Sequence, residues 1–191
     1  MLNIVLFGAP GCGKGTQAAR LKEKYGINHV STGEIIRNEI KNETPLGKQV
    51  SAAIGRGELA PDEVVINIIA NYVRENKDCA GNIFDGFPRT TPQAERFDEI
   101  LAEHGLGVDM MIYMDVPEQE LVNRILLRGK ESGRADDASE DVIRNRIATY
   151  RAQTAIVADY YSAQGKYFEI DGLGTMDEVF ERICEVIDTK R

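Results

Sequence analysis

Nine consecutive residues, Gly8-Ala9-Pro10-Gly11-Cys12-Gly13-Lys14-Gly15-Thr16, carry the densest chemistry in this chain. Glycines let a backbone curl so that successive N–H groups point inward at one anion. Lys14 adds a full positive charge for outer phosphates, and the Thr16 hydroxyl suits Mg²⁺. The spacing departs once from the plain Gly-x-x-x-x-Gly-Lys-Ser/Thr pattern. Gly15 takes the usual hydroxyl position, and the hydroxyl follows at Thr16. Cys12 sits inside the loop, where a thiol beside a helix start gains reactivity. The plainer reading, a small side chain whose backbone N–H matters, is preferred.

A second set is spread along the chain. Asp85 ends an apolar run, where a carboxylate is costly unless something positive is near. If its strand lies beside the first, Asp85 faces the phosphate loop and shares in a Mg²⁺ shell, often through water. Arg37, Arg89, Arg124, Arg128, Arg134 and Arg146 are the candidate anion clamps, because guanidinium forks fit phosphate oxygens. Arg124 and Arg128 share one helix face by their spacing. No serine–histidine–carboxylate set is visible. His29 and His104 stand alone and read as surface or strand-end residues. The missing general base is tolerable where the nucleophile is already an anion. Asp136 and Asp137 read as solvated or arginine-paired lid residues rather than catalysts.

These groups need a frame. Leu2–Phe7 is an apolar run of strand length, and Gln17–Lys24 reads as the following helix. Strand, glycine-rich loop, helix is the context that makes the phosphate loop credible. Further strands are expected at 27–30, 82–85, 108–116 and 166–170. Helices are expected over 35–40, from 44–45 to 55, over 64–73, 91–103 and 117–128, then one long helix from Ser139 to about Ser162, and a last one ending near Thr189. Gly129–Asp137, with two glycines and many charges, reads as a loop or small lid. Strands alternating with helices argue an α/β fold, a parallel sheet covered on both faces. Ligands in such sheets sit beyond the carboxyl ends of the strands. The singled-out residues fall there.

Composition narrows the class. Lys and Arg number 23 against 31 Asp and Glu, a net charge of −8. Such a chain is a poor candidate for nucleic-acid or anionic-membrane binding. Its 191 residues suit one good core with small appended lobes. The three cysteines, far apart, fit a reducing cytoplasm and offer no zinc spacing. No signal-like segment opens the chain, and no apolar run approaches the ~20 residues of a membrane span. A cytoplasmic protein is expected.

Five segments in this order carry a resemblance: Gly8 to Thr16; Ser31-Thr32-Gly33-Glu34 with Arg37; Gly57-Glu58-Leu59-Ala60-Pro61-Asp62; Asp85-Gly86-Phe87-Pro88-Arg89 with Gln93; and Ser132-Gly133-Arg134-Ala135-Asp136-Asp137. Together the chain resembles the adenylate kinase family of nucleoside monophosphate kinases. That resemblance implies a P-loop kinase fold with a central five-stranded parallel sheet. It implies a core of 1–30, 61–126 and 138–191, an AMP-binding lobe at 31–60, and a short lid at 127–137 without structural zinc. The implied reaction is reversible, Mg-dependent phosphoryl transfer from ATP to AMP, giving two ADP, by a monomer. Gly11, Cys12, Gly13, Lys14, Gly15 and Thr16 are implied to hold the ATP phosphates, with Arg124, Arg128 and Gly174 on the same side. Thr32, Arg37, Glu58, Leu59, Ala60, Gly86, Phe87, Pro88, Arg89 and Gln93 are implied to form the AMP site. Arg134 and Arg146 would bridge both phosphate chains. The catalytic set would be Lys14, Arg89, Arg124, Arg134 and Arg146, and the metal contacts Thr16 and Asp85.

Two positions depart from the family pattern: Glu34 replaces an aspartate, and Ala60 a bulkier apolar residue beside the AMP base. The nearest alternative is a UMP/CMP kinase of the same fold. Thr32 and Gln93 favour AMP over it. A non-catalytic nucleotide switch would not need Arg37, Arg89 and Gln93 as a second pocket, and a shikimate-type small-molecule kinase would not be expected to carry Gly86-Phe87-Pro88-Arg89 with Gln93 in its acceptor lobe.

Overall fold

The apolar runs become five strands: β1 (Leu2–Phe7), β2 (Asn28–Ser31), β3 (Gly81–Asp85), β4 (Met110–Asp115) and β5 (Tyr167–Asp171). They form one parallel sheet in the order β2-β3-β1-β4-β5. The central strands are buried almost throughout, as strands covered on both faces must be. The computed structural model describes residues 1–137 and 139–190. Ala138 and Arg191, where two of the expected core limits fall, lie outside the described residues.

Nine helices flank and extend the sheet among the described residues: α1 (Lys14–Tyr25), α2 (Thr32–Lys41), α3 (Pro45–Gly55), α4 (Asp62–Glu75), α5 (Thr91–Ala102), α6 (Glu118–Ser132), α7 (Glu140–Thr149), α8 (Val157–Ser162) and α9 (Met176–Lys190). Side-chain oxygens start several of them. Ser31 accepts from the Glu34 N–H, Thr44 from Gly47, Thr90 from Gln93 and Ser139 from Val142. Glu34, in place of the family's aspartate, therefore leaves the α2 start in order. Within the sheet, Ile83, Phe84, Ile4, Leu6, Met110 and Met111 are fully buried and make its centre.

Three stretches differ from the sequence expectation. Helix α1 begins at Lys14 rather than Gln17, so Lys14, Gly15 and Thr16 are first-turn residues. Helix α6 runs through Gly129 to Ser132, where a loop was expected. A charged segment needs no core when it continues a helix already anchored by buried Leu121, Val122 and Ile125. Only Gly133 onward leaves the helix, followed by a single 3-10 turn at 135–137. The long helix expected from Ser139 is interrupted. Residues Tyr150–Thr154 form a π turn between α7 and α8. Its extra residue per turn turns Tyr150 and Thr154 inward, both buried.

Candidate active site

All parallel strands end on the same edge, and the phosphate loop leaves β1 in the middle of it. Gly13 precedes α1 with φ +104, a conformation open to glycine and strained for other residues. No side chain caps this helix, so the first-turn N–H groups keep no helical partner and face the loop's concavity. The Cys12 N–H is committed elsewhere, to the Ala9 carbonyl at 3.2 Å. Its thiol is buried, with Sγ 3.5 Å from Lys14 Nζ. Lys14 donates to the carbonyls of Gly8 (2.8 Å) and Ala9 (3.1 Å), which hold the ammonium over the loop.

The register puts Asp85 opposite Leu6, one residue before the end of β1. The expected adjacency of the two strands is therefore present, and Asp85 stands beside the phosphate loop. Burial alone would raise this carboxyl. Neighbouring His29, then Lys14 and Arg89, outweigh it and hold Asp85 below the ordinary carboxylate range. His29 Nε2 lies 3.6 Å from Asp85 Oδ2, an ion-pair separation rather than a hydrogen bond. His29 was passed over in the sequence as an isolated residue. The signal was its place on β2, since β2 pairs with β3 in the register Ser31 to Asp85 and the side chain reaches the same strand ends.

Arg89 follows a turn anchored by Phe87, whose ring meets Phe97 edge-on at 5.1 Å in the core. The Phe87–Pro88 peptide is cis. Arg89 Nε donates to the Gly86 carbonyl at 2.7 Å, and the Thr32 hydroxyl donates to that same carbonyl at 2.9 Å. Gln93 is 1% exposed, with its carboxamide between two groups. Its Oε1 accepts from the Arg89 N–H at 2.7 Å, and its Nε2 donates to Asp62 Oδ1 at 2.7 Å.

The arginines converge on the same cavity. Burial, then the neighbouring Arg146, pushes the Arg89 guanidinium below the usual arginine value. Burial, then Arg134, does the same to Arg37. Arginine stays charged regardless. A crowd of cations that disfavour one another is an electrostatic demand for anions. At its edge, Arg128 grips Asp137 with two bonds (2.7 and 2.9 Å), and Arg146 reaches Asp136 (3.2 Å) and Asp137. The Asp137 side chain is fully enclosed. Burial opposes its ionisation, but Arg128 and then Arg146 hold it ionised below the usual range. Both aspartates thus serve as arginine partners, as read from the sequence. On α6, Arg124 is steadied by Glu120 at 2.7 Å and reaches toward the Gly172 carbonyl.

Every residue given a catalytic, nucleotide-binding or metal role in the sequence lines one cavity of about 1240 Å³. Pockets for one drug-sized molecule run to ~300–1,000 Å³. The phosphate loop, Arg124, Arg128 and Gly174 border it on one side; Thr32, Arg37, Glu58 to Ala60 and Gly86 to Gln93 on the other. Arg134 and Arg146 line it too. Tyr150 and Thr154 of the π turn also face it, unforeseen because a sequence gives no local sign of an extra residue in a helical turn.

Among the described residues, no group of three or more His, Cys, Asp or Glu is placed to hold an ion. No described helix is long and apolar enough to cross a membrane. The chain matches the family model described as adenylate kinase over residues 6–166. It is 54% identical over 189 residues to an adenylate kinase of Bacteroides fragilis, which spans 99% of this chain and 100% of the relative. An adenylate kinase of Bacteroides thetaiotaomicron is 54% identical over 188 residues, 98% of this chain and 99% of its own. One from Porphyromonas gingivalis is 44% identical over 191 residues, 100% of this chain and 98% of its own.

Proposed function

The chain belongs to the adenylate kinase family, and on that premise we propose that this one cavity seats both nucleotides, phosphates facing, with a named set of side chains between them. Its activity is the family's, phosphoryl transfer between ATP and AMP. In our reading the first-turn amides of α1, Lys14 and Arg128 take the ATP phosphates, and Arg124 and Gly174 border the adenosine. Arg37 and Arg89 take the AMP phosphate. Thr32, Gln93 and the Glu58–Ala60 segment line its base. Ala60, small and buried, leaves looser packing there than a bulkier residue would.

The AMP phosphate oxygen is the nucleophile. It forms a bond to the γ-phosphorus of ATP, and the bond from that phosphorus to the β–γ bridging oxygen breaks, leaving two ADP. An anionic nucleophile needs no base. The cost lies in spreading charge over three equatorial oxygens, which Lys14, Arg89, Arg124, Arg134 and Arg146 offset. The observation that carries this assignment is the meeting, in one oversized cavity, of the phosphate loop with a set of arginines that disfavour one another's charge.

The residues fit a magnesium ion carried in with ATP. Asp85 is ionised beside the loop, and Thr16 is exposed in the first turn of α1. Two oxygen donors leave the remaining positions to phosphates and water, the usual arrangement for Mg²⁺. When bound, Mg²⁺ supplies charge neutralisation on the β- and γ-phosphate oxygens. Segments 31–60 and 127–137 are proposed to close over the nucleotides and exclude water, so that phosphate is attacked in place of water. A monomer in the cytoplasm completes the proposal.

The test is phosphoryl transfer from Mg·ATP to AMP, UMP, CMP and GMP in parallel, following diphosphate formation. Preference for AMP, with ADP also driven back to ATP and AMP, is expected. Preference for UMP or CMP would overturn the assignment of the base pocket.

A further inference from the structure

We propose that Asp62, which does not line the cavity, sets the enzyme's choice of nucleotide base by fixing the orientation of the Gln93 carboxamide. The inference rests on the reading above that Gln93 meets the base of the monophosphate.

A carboxamide offers two lone pairs on oxygen and two N–H donors on nitrogen, and it can sit in either of two flipped orientations. At Gln93 both neighbours select the same one. The Arg89 N–H, a pure donor, stands 2.7 Å from Oε1. Asp62 Oδ1, a carboxylate oxygen and so a pure acceptor, stands 2.7 Å from Nε2. Flipping the amide would set donor against donor and acceptor against acceptor, in a place where Gln93 is 1% exposed and water cannot repair the mismatch. Asp62 is itself held: the Thr90 hydroxyl donates to the same Oδ1 at 3.1 Å while accepting from the Gln93 N–H. These bonds tie the first residue of α4 to the first turn of α5.

What remains to Gln93 is one lone pair on Oε1 and one N–H on Nε2. Gln93 lines the cavity, whereas Asp62 does not. A 6-aminopurine presents an acceptor at N1 beside a donor at N6. A 6-oxopurine presents the reverse, a donor at N1 and an acceptor at O6. The pinned amide matches the first edge, N–H to N1 and Oε1 to the amino group, and opposes the second. With Asp62 removed only the Arg89 N–H opposes the flip, and the amide serves the second edge more readily. Asp62 is thus a positioning residue. It acts on selectivity through Gln93 and does not touch the substrate.

The experiment compares steady-state kinetics with Mg·ATP and either AMP or inosine 5′-monophosphate, which differ on this edge. Asp62→Ala is expected to shrink the AMP-to-IMP ratio of kcat/KM about tenfold, the worth of one lost orienting hydrogen bond. The change should appear in the KM for the monophosphate, with the KM for ATP unchanged. Asp62→Asn keeps an oxygen acceptor and should hold the ratio within about threefold of the unaltered chain. If the alanine variant does not fold, Asp62→Leu is measured in its place with the same expectation. A ratio that stays put, or equal losses on AMP and IMP, overturns the proposal. Gln93→Ala separates the two levels. If it too leaves the ratio unchanged, the placement of the base on Gln93 has failed. If it collapses the ratio while Asp62→Ala does not, only the role of Asp62 has failed.

Discussion

Both ends of the cavity are positive, yet they are built on opposite plans. At the β1 end the positive field comes largely from backbone: unpaired amides of a helix start, held by glycine geometry, with Lys14 as the full charge on the loop segment itself and Arg124 and Arg128 added from α6. At the Arg89 end it comes from long side chains drawn from α2, α7 and the segment after β3, of which Arg89 is steadied by a carbonyl and Arg146 by carboxylates. A backbone cradle is made by neighbours in sequence and survives most side-chain changes. A side-chain cradle is made by residues far apart, costs conformational entropy to order, and depends on the partners that hold each fork.

The largest break in this comparison is Lys14→Ala. It removes the full charge carried by the phosphate-loop segment itself and should lower kcat by ~10²–10³, in the range seen when one preorganised donor is lost. The chain should stay folded, checked by circular dichroism beside the assay. Arg89→Ala should cut turnover on a similar scale. Because Gly86 and Phe87 still anchor the turn, it too should remain folded.

A smaller break falls on the side-chain end. Asp137→Ala leaves Arg128 and Arg146 without their enclosed partner and should cost about 2 kcal/mol, since hydrogen bonds to charged groups are the stronger kind. Urea unfolding measures it. No backbone-end side chain outside the glycines should cost as much stability for so little buried carbon.

Gly57→Ala sharpens the contrast further. Gly57 has φ +77, and a Cβ there would lie 2.9 Å from the Val142 carbonyl and 2.7 Å from Arg146 Cγ. The substitution should destabilise by about 1 kcal/mol or more. Gly105→Ala (φ +69, with nothing within 4 Å of its Cβ) carries the backbone penalty alone. A larger loss at Gly57 than at Gly105 isolates the crowding against Arg146. Equal losses would mean that the lobe and α7 do not brace each other.

The gentlest probe is acid. Asp85 and Asp137 both have folded-state pKa values below those of the unfolded chain. Their stabilisation is therefore complete above the unfolded value, ~3.9, and is lost as pH falls through the lower folded values. The unfolding midpoint should drop steadily below about pH 4, and Asp137→Asn should flatten that slope more than any exposed carboxylate does.

The sequence was most legible where function is contiguous. The phosphate loop, the β3 turn and the helix starts at Thr44 and Ser139 are short-range patterns with local physics, and each appears where it was read. What stayed hidden depends on pairs. His29 meets Asp85 only once β2 lies beside β3, and Asp62 meets Gln93 only once α4 packs on α5. The continuation of α6 to Ser132 was missed because composition was weighed over the momentum of an anchored helix. The π turn left no mark at all, since its cause is the burial of Tyr150 and Thr154 on a face that only the assembled core defines.

The strand order has a consequence in time. Ile4 of β1 pairs with Ile83 on one side and Met110 on the other, so the middle of the sheet waits for partners made far downstream. Pairing over such separations is slow to find. At ~5–20 residues per second of synthesis, β4 emerges roughly 5–20 s after β1. Until then β1 has at most β3 beside it, and the phosphate loop hangs from an edge strand. Nucleotide capture is therefore a late property of this chain, withheld from a growing polypeptide and granted only once two-thirds of it can fold.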